Sequence, residues 1–184
     1  MFGDETTPGV DTVLPDFGFL RDRADDIVGC IATHAHEDHI GGLPYLLDEL
    51  PMPVWGSPFT IGMVRNKLEE KGIAGSVPLH VIHDGETHRI GPVECEFIPV
   101  THSTPSGLIT AFHTPQGIIL HSSDFKLDFT PVDGRVTDLA RIGALSADPG
   151  IRLLLADSTN ADSPGFSSSE TEVGGVLAQV FAER

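Results

Sequence analysis

Six consecutive residues, His34-Ala35-His36-Glu37-Asp38-His39, place three imidazoles and an aspartate in an H-x-H-x-D-H spacing. Imidazole nitrogen and carboxylate oxygen suit zinc and related divalent ions. In extended backbone, residues two apart point the same way, so His34 and His36 can reach one ion. A turn at Glu37 would aim Asp38 and His39 at a second point nearby, an arrangement suited to two-metal hydrolysis. A solvated polar loop, or one histidine capping the next helix, is the plain reading of a lone histidine. Three histidines and an aspartate in six residues at a strand end do not fit it. His102 and Asp124 each follow an apolar, strand-like run and would complete the set with one more histidine and a bridging carboxylate. The remaining histidines, His80, His83, His88, His113 and His121, read as surface or core-edge residues.

The elements that must hold these residues are legible around them. Ile27 to Thr33 is a short apolar run of strand length, and His34 to His39 follows as a polar loop. Ile40 to Leu50 reads as a helix with Leu43, Leu46, Leu47 and Leu50 on one face. Pro53 to Trp55 reads as a strand. Ser57 then caps a helix that has Pro58 at its first position, Ile61, Val64 and Leu68 as its buried stripe, and Gly72 at its end. Val77 to Ile82 and Val93 to Val100 are strand-like, and Leu108 to Thr114 with Gly117 to His121 suggest a hairpin. Asp138 to Ser146 reads as a helix with Leu139, Ile142 and Leu145 inward. Ile151 to Ala156 is nearly all apolar and should be buried on both faces. Ser169 and Glu172 form a capping box ahead of a final helix with an apolar stripe of Val173, Val176, Leu177, Val180 and Phe181. Residues 1 to 18 read as an irregular lead-in. Mixed strands and helices indicate an α/β layered fold.

Composition narrows the chemistry. The 184 residues hold 27 acids against 11 lysines and arginines, a net charge of −16. A basic nucleic-acid surface is excluded as a global property, so action on RNA would need a local basic patch, bound metals or a partner segment. Two cysteines, Cys30 and Cys95, exclude a disulfide-rich scaffold and read as buried free thiols. No stretch approaches the roughly 18 apolar residues of a membrane span. Met1 to Val10 lacks the basic start and apolar run of a signal peptide, so the expected location is cytoplasmic.

H-x-H-x-D-H, a later histidine and a later aspartate resemble the metallo-β-lactamase fold superfamily. The local wording is closer still. THAHEDHIGGLPYLL (33–47), THSTPSG (101–107), HSSDFKLDFTPVDG (121–134) and DSTNADSPGFSSSE (157–170) resemble bacterial ribonuclease J of the β-CASP group, as does GVDTVLPDF (9–17). The resemblance implies an αββα sandwich, here incomplete, lacking N-terminal strands and most of the β-CASP domain. Residues 1–160 would be a partial metallo-β-lactamase domain and 161–184 the first helix of the β-CASP domain. By the same resemblance His34, His36 and His102 would hold one zinc ion, Asp38 and His39 the other, and Asp124 would bridge, with Mn2+ or Mg2+ as alternative metals. Water activated between the ions would attack an RNA phosphodiester. Asp38 and His36 would be the catalytic residues, with Asp38 orienting that water. Thr33, Glu37, Thr101 and Ser103 are available as partners for the second ring nitrogens. Ser158, Thr159 and Asn160 would contact phosphate or cap a turn, and Lys126 would meet phosphate or pair with Asp124 and Asp128.

Departures from the family shape the functional expectation. Full-length members are several times longer and form homo-oligomers, and a later histidine completes their second metal site, which here is one ligand short. The family more often has glycine where Ser123 stands. The expected function is therefore that of a partial ribonuclease J-type enzyme, a zinc-dependent 5′-to-3′ exonuclease and endonuclease of RNA processing, rRNA included, and decay, with little activity alone. The alternatives are a small-molecule metallo-hydrolase (lactonase, thioesterase or β-lactamase-like), which the −16 charge favours, and a non-catalytic metal-binding fragment.

Overall fold

The computed structural model describes residues 8–10 and 12–183, so the expectation for residues 1–7 of the lead-in, and for Asp11 and Arg184, lies outside the described residues. The chain divides into two compact units, Met1–Ile82 and His83–Arg184.

In the first unit a short helix, α1 (Gly18–Arg21), precedes strand β1 (Cys30–Ala32), helices α2 (Glu37–Ile40) and α3 (Leu43–Glu49), strand β2 (Val54–Gly56), helix α4 (Pro58–Lys71) and strand β3 (Leu79–Val81). The strands form a parallel sheet in the order β1-β2-β3, with Cys30 opposite Val54 and Val54 opposite Leu79. Parallel neighbours need a crossover, and the helices supply it. The core joins Val54 to Ile40, Leu47, Ile61, Val64 and Leu68, all almost fully buried. The expected stripe of α4 therefore packs as read. Its ends also match, since the Ser57 hydroxyl accepts from the Thr60 amide and Gly72 stops the helix at φ +81°, a conformation glycine adopts without strain. The single helix expected over 40–50 differs: it starts earlier, at Glu37, and breaks at Gly41-Gly42 into α2 and α3.

The second unit is a five-stranded sheet in the order β4-β5-β6-β7-β8, made of Thr87–Ile90, Val93–Pro99, Leu108–Thr114, Gly117–His121 and Ile151–Leu155. β4 to β7 run antiparallel through hairpins, and the expected turn at Pro115-Gln116 joins Thr114 to its partner Gly117. Helix α5 (Leu139–Ala147) provides the crossover to β8, which lies parallel to β7. Ile98, Ile109, Ala111, Ile118 and Leu120 form the core under Leu145 of α5.

Three expectations are corrected here. β8 is an edge strand that pairs with β7 alone among the described residues, and Leu153, Leu154 and Leu155 are 47%, 56% and 46% exposed rather than buried on both faces. Leu139 stands at the first position of α5 and is exposed, while Leu145 is buried in the core and the half-buried Ile142 packs against it, as expected. The Ser169 hydroxyl caps the final helix, α6 (Glu170–Ala182), by accepting from the Thr171 amide rather than from the Glu172 amide of a capping box. The apolar stripe of α6 is exposed along its length. Strand β4 was not expected: Thr-His-Arg-Ile offers one buried apolar residue, Ile90, and so no apolar period to read.

Candidate metal centre

β1 delivers the chain into the loop Thr33–His36, and α2 lifts it away again. His36 caps α2 with extended backbone (φ −65°, ψ 148°), and its carbonyl accepts from the amides of His39 and Ile40. That turn gives the motif its two directions. His34 is fully buried. Its Nδ1 lies 3.1 Å from the Thr33 hydroxyl and its Nε2 3.2 Å from Nδ1 of His36. Two ring nitrogens this close share either one proton or one electrophile. The ring of His39 sits 4.1 Å from that of His34, and Asp38 Oδ2 lies 3.6 Å from His39 Nε2. The pattern thus pairs His34 with His36 and Asp38 with His39. Asp38, with its side chain 78% exposed, and His39 also line a hollow whose apolar wall includes Leu14, Phe17 and Leu46. Glu37, a candidate partner for a histidine ring, instead accepts from Lys67 of α4 at 2.6 Å.

In the second unit His102 rides the loop between β5 and β6, and Asp124 the loop after β7. His102 Nε2 stands 3.7 Å from Asp124 Oδ2, and both side chains are mostly shielded from solvent. Ser123, just before Asp124, is buried at φ +58°, in the left-handed region. The glycine expected of the family would adopt this conformation freely, so serine retains the turn against a backbone penalty. Thr101 is committed to Thr137 and Arg135: its amide donates to the Thr137 hydroxyl at 2.9 Å, and its own hydroxyl donates to the Arg135 carbonyl. Lys126 donates its ammonium to Glu170 at 3.0 Å, not to Asp124 or Asp128. Asp128 accepts from the Glu170 and Thr130 amides and from the Ser169 hydroxyl, bonds that hold its carboxyl below the usual range and fasten α6 to this loop.

Ser158, Thr159 and Asn160 form an exposed turn. Asp157 Oδ1 accepts from the Thr159 hydroxyl and amide, which lowers the Asp157 pKa.

His34 with His36 in the first unit, and His102 with Asp124 in the second, are each a close pair of the donor types that bind metal ions. Three imidazoles and a carboxylate fit zinc by donor type.

The family model described as beta-lactamase superfamily domain matches residues 8–174. The chain belongs to this superfamily. Its α/β sheets are those of a metallo-β-lactamase fold domain. A crystal structure of a protein of unknown function from Enterococcus faecalis shares the fold, with a TM-score of 0.60 and 17% identity over 84% of this chain and 39% of that one. Among curated relatives, ribonuclease J of Mycobacterium tuberculosis is 47% identical over 98% of this chain, and ribonuclease J of Thermus thermophilus is 40% identical over 98%. The chain spans about a third of the length of these superfamily relatives, 32% in each case.

Several residues that shape the site escaped the sequence reading. Lys67 holds Glu37, and Arg135 and Thr137 hold the loop of His102. The only signal for the last two was their position beside the family-like stretch ending at Gly134, which named no role.

Proposed function

We propose that this chain carries most of the metal centre of a ribonuclease J-type RNA hydrolase. The observation that carries this reading is the placing of close donor pairs, His34 with His36 and His102 with Asp124, in a chain 47% identical to a ribonuclease J. His34, His36 and His102 would hold one divalent ion, Asp38 and His39 a second, with Asp124 shared. Zinc is the metal the donors favour, with Mn2+ or Mg2+ as alternatives. When bound, such ions lower the pKa of water toward neutrality and offset charge on phosphate oxygens. The chain's own residues do the rest. Thr33 fixes the His34 ring so that Nε2 faces His36, and the exposed Asp38 carboxylate orients the attacking water. Residues 1–160 form the metallo-β-lactamase part and 161–184 the first helix of a β-CASP domain. The whole protein would cleave RNA from the 5′ end and internally, in RNA processing (rRNA included) and decay, as a homo-oligomer in the cytoplasm. This chain alone, with its second site one ligand short, would turn RNA over weakly or not at all.

The test is metal content per folded chain, followed by 5′-phosphorylated RNA as substrate. One or two zinc ions, lost in His36→Ala and Asp38→Ala, are expected. Folded protein that takes up no divalent metal overturns the reading. The net charge of −16 favours a second one, a small-molecule hydrolase. Turnover of a lactam, lactone or thioester with RNA bound no better than a neutral polymer would select it.

A further inference from the structure

The loop that carries His102 leaves β5 at Val100 and rejoins β6 at Gly107. Its neck is closed by one backbone bond, from the Val100 amide to the Gly107 carbonyl at 3.2 Å. Arg135 lies across this neck. Its Nη1 donates to the Val100 carbonyl at 2.9 Å and its Nη2 to the Gly107 carbonyl at 2.8 Å. The other edge of the guanidinium is held by Asp84, with Nε donating to Oδ2 at 2.7 Å and Nη2 to Oδ1 at 2.5 Å. The backbone around Arg135 repeats the grip. Thr137 and Thr101 exchange amide-to-hydroxyl bonds of 2.9 and 3.1 Å, and the Asp138 amide donates to the Pro99 carbonyl.

We infer that Arg135 is a positioning residue: its guanidinium fork clamps both ends of the 101–106 loop and so fixes where His102 presents its imidazole. The inference deepens the metal-centre reading and rests on it for its functional meaning. A planar fork with fixed N–H directions can serve two carbonyls and one carboxylate together; a lysine ammonium, a point donor on a flexible stem, cannot hold that geometry. Without the fork, the loop keeps its neck bond and the backbone bonds of Thr101 but loses both side-chain ties at its ends, so the His102 ring is held less firmly. Partners that orient a metal ligand typically contribute about 10–100-fold to metal affinity.

The experiment compares Arg135→Ala and Arg135→Lys with Arg141→Ala in the whole chain. Arg141 also forms a carboxylate pair in this unit, but with Glu96, between α5 and β5. Two quantities are read: amide hydrogen exchange across residues 101–107 in metal-free protein, and the zinc dissociation constant by chelator competition. The expected result is exchange at least tenfold faster in this loop for Arg135→Ala, with a smaller acceleration for Arg135→Lys. Zinc binding should weaken about tenfold or more for Arg135→Ala. Arg141→Ala should change neither quantity beyond its effect on global stability. Should Arg135→Ala fail to fold, Arg135→Lys, which keeps the pair with Asp84, carries the test. Unchanged loop exchange in both Arg135 variants overturns the inference, as does equal loop loosening in Arg141→Ala. Wild-type protein that binds no zinc, yet whose loop loosens in Arg135→Ala, would leave the clamp standing and remove the metal-centre reading. Loosening without any change in zinc affinity would overturn the positioning role.

Discussion

The Lys67 ammonium of α4 donates to the Glu37 carboxylate of the H-x-H-x-D-H loop at 2.6 Å, thirty residues away in sequence. Glu37 reaches Lys67 because nothing stands on Gly41. A Cβ built at Gly41 would lie 2.5 Å from the Glu37 carbonyl oxygen and 2.5 Å from its Oε1, closer than real atoms approach. The Lys67–Glu37 pair itself is partly exposed, so Lys67→Ala should cost less than about 1 kcal/mol. Gly41→Ala must push α2 away from its place and should cost about 1–3 kcal/mol. Urea unfolding of both variants checks this, and a Gly41→Ala variant as stable as wild type would show that α2 yields freely.

Ser123 bears on the Asp124 loop in the same way, through backbone rather than contacts. At φ +58° it occupies a conformation that costs a side-chain-bearing residue roughly 1–2 kcal/mol. A β-branched residue there is a true outlier. Ser123→Gly should be at least as stable as wild type, and Ser123→Val should lose about 2 kcal/mol. Thermal unfolding midpoints of the metal-free variants decide it; a harmless valine would mean that the loop rearranges.

What could be read in advance divides along a physical line. α4 was legible from end to end because its signals are local: Ser57, Pro58, an apolar stripe and Gly72 all act within a turn of the helix they define. The closeness of His34 and His36 follows from an equally local rule, since residues two apart on extended backbone point the same way. Arg135 was not, because Val100, Gly107 and Asp84 lie 35, 28 and 51 residues from it and only the fold brings them together. β8 misled because an apolar run reports the tendency to be buried, whereas an edge position is set by which strands pair.

Glu96 of β5 makes stability depend on pH at the acid end. Its two carboxylate oxygens take Arg141 Nε at 2.5 Å and Nη2 at 2.9 Å, and Oε2 also lies 3.1 Å from His113 Nε2. The Arg141 bonds, with a smaller part from His113, hold the Glu96 carboxyl below its ordinary range despite burial. A lowered folded pKa gives stability that is fully present above the unfolded value of about 4.3 and is lost as pH falls below it toward the folded value. Glu96→Gln should flatten the acid limb of the stability curve and cost on the order of 1–3 kcal/mol at neutral pH, by removing the charge and setting an NH2 donor where one of the two acceptor oxygens faced Arg141 and His113. Urea midpoints from pH 7 to pH 3 supply the measurement. Parallel curves for wild type and Glu96→Gln would remove Glu96 from the account.

The two thiols should be nearly silent in the folded chain. Cys95 is buried in β5, and burial, with the neighbouring Glu94 charge, raises its pKa. Cys30 is half-buried in β1, and desolvation by its surroundings pushes its thiol up to about 11. Only the thiolate attacks a disulfide reagent. At pH 8 a thiol with that pKa is ionised in roughly one molecule in a thousand, against about one in four for an unperturbed cysteine. An aromatic disulfide reagent at pH 8 should therefore label the native chain at least a hundredfold more slowly than the chain in denaturant, where both cysteines should react. Cys30→Ser and Cys95→Ser assign the two phases. Rapid native labelling that survives in Cys95→Ser would place an ionised thiol at Cys30 and contradict the desolvated setting of β1.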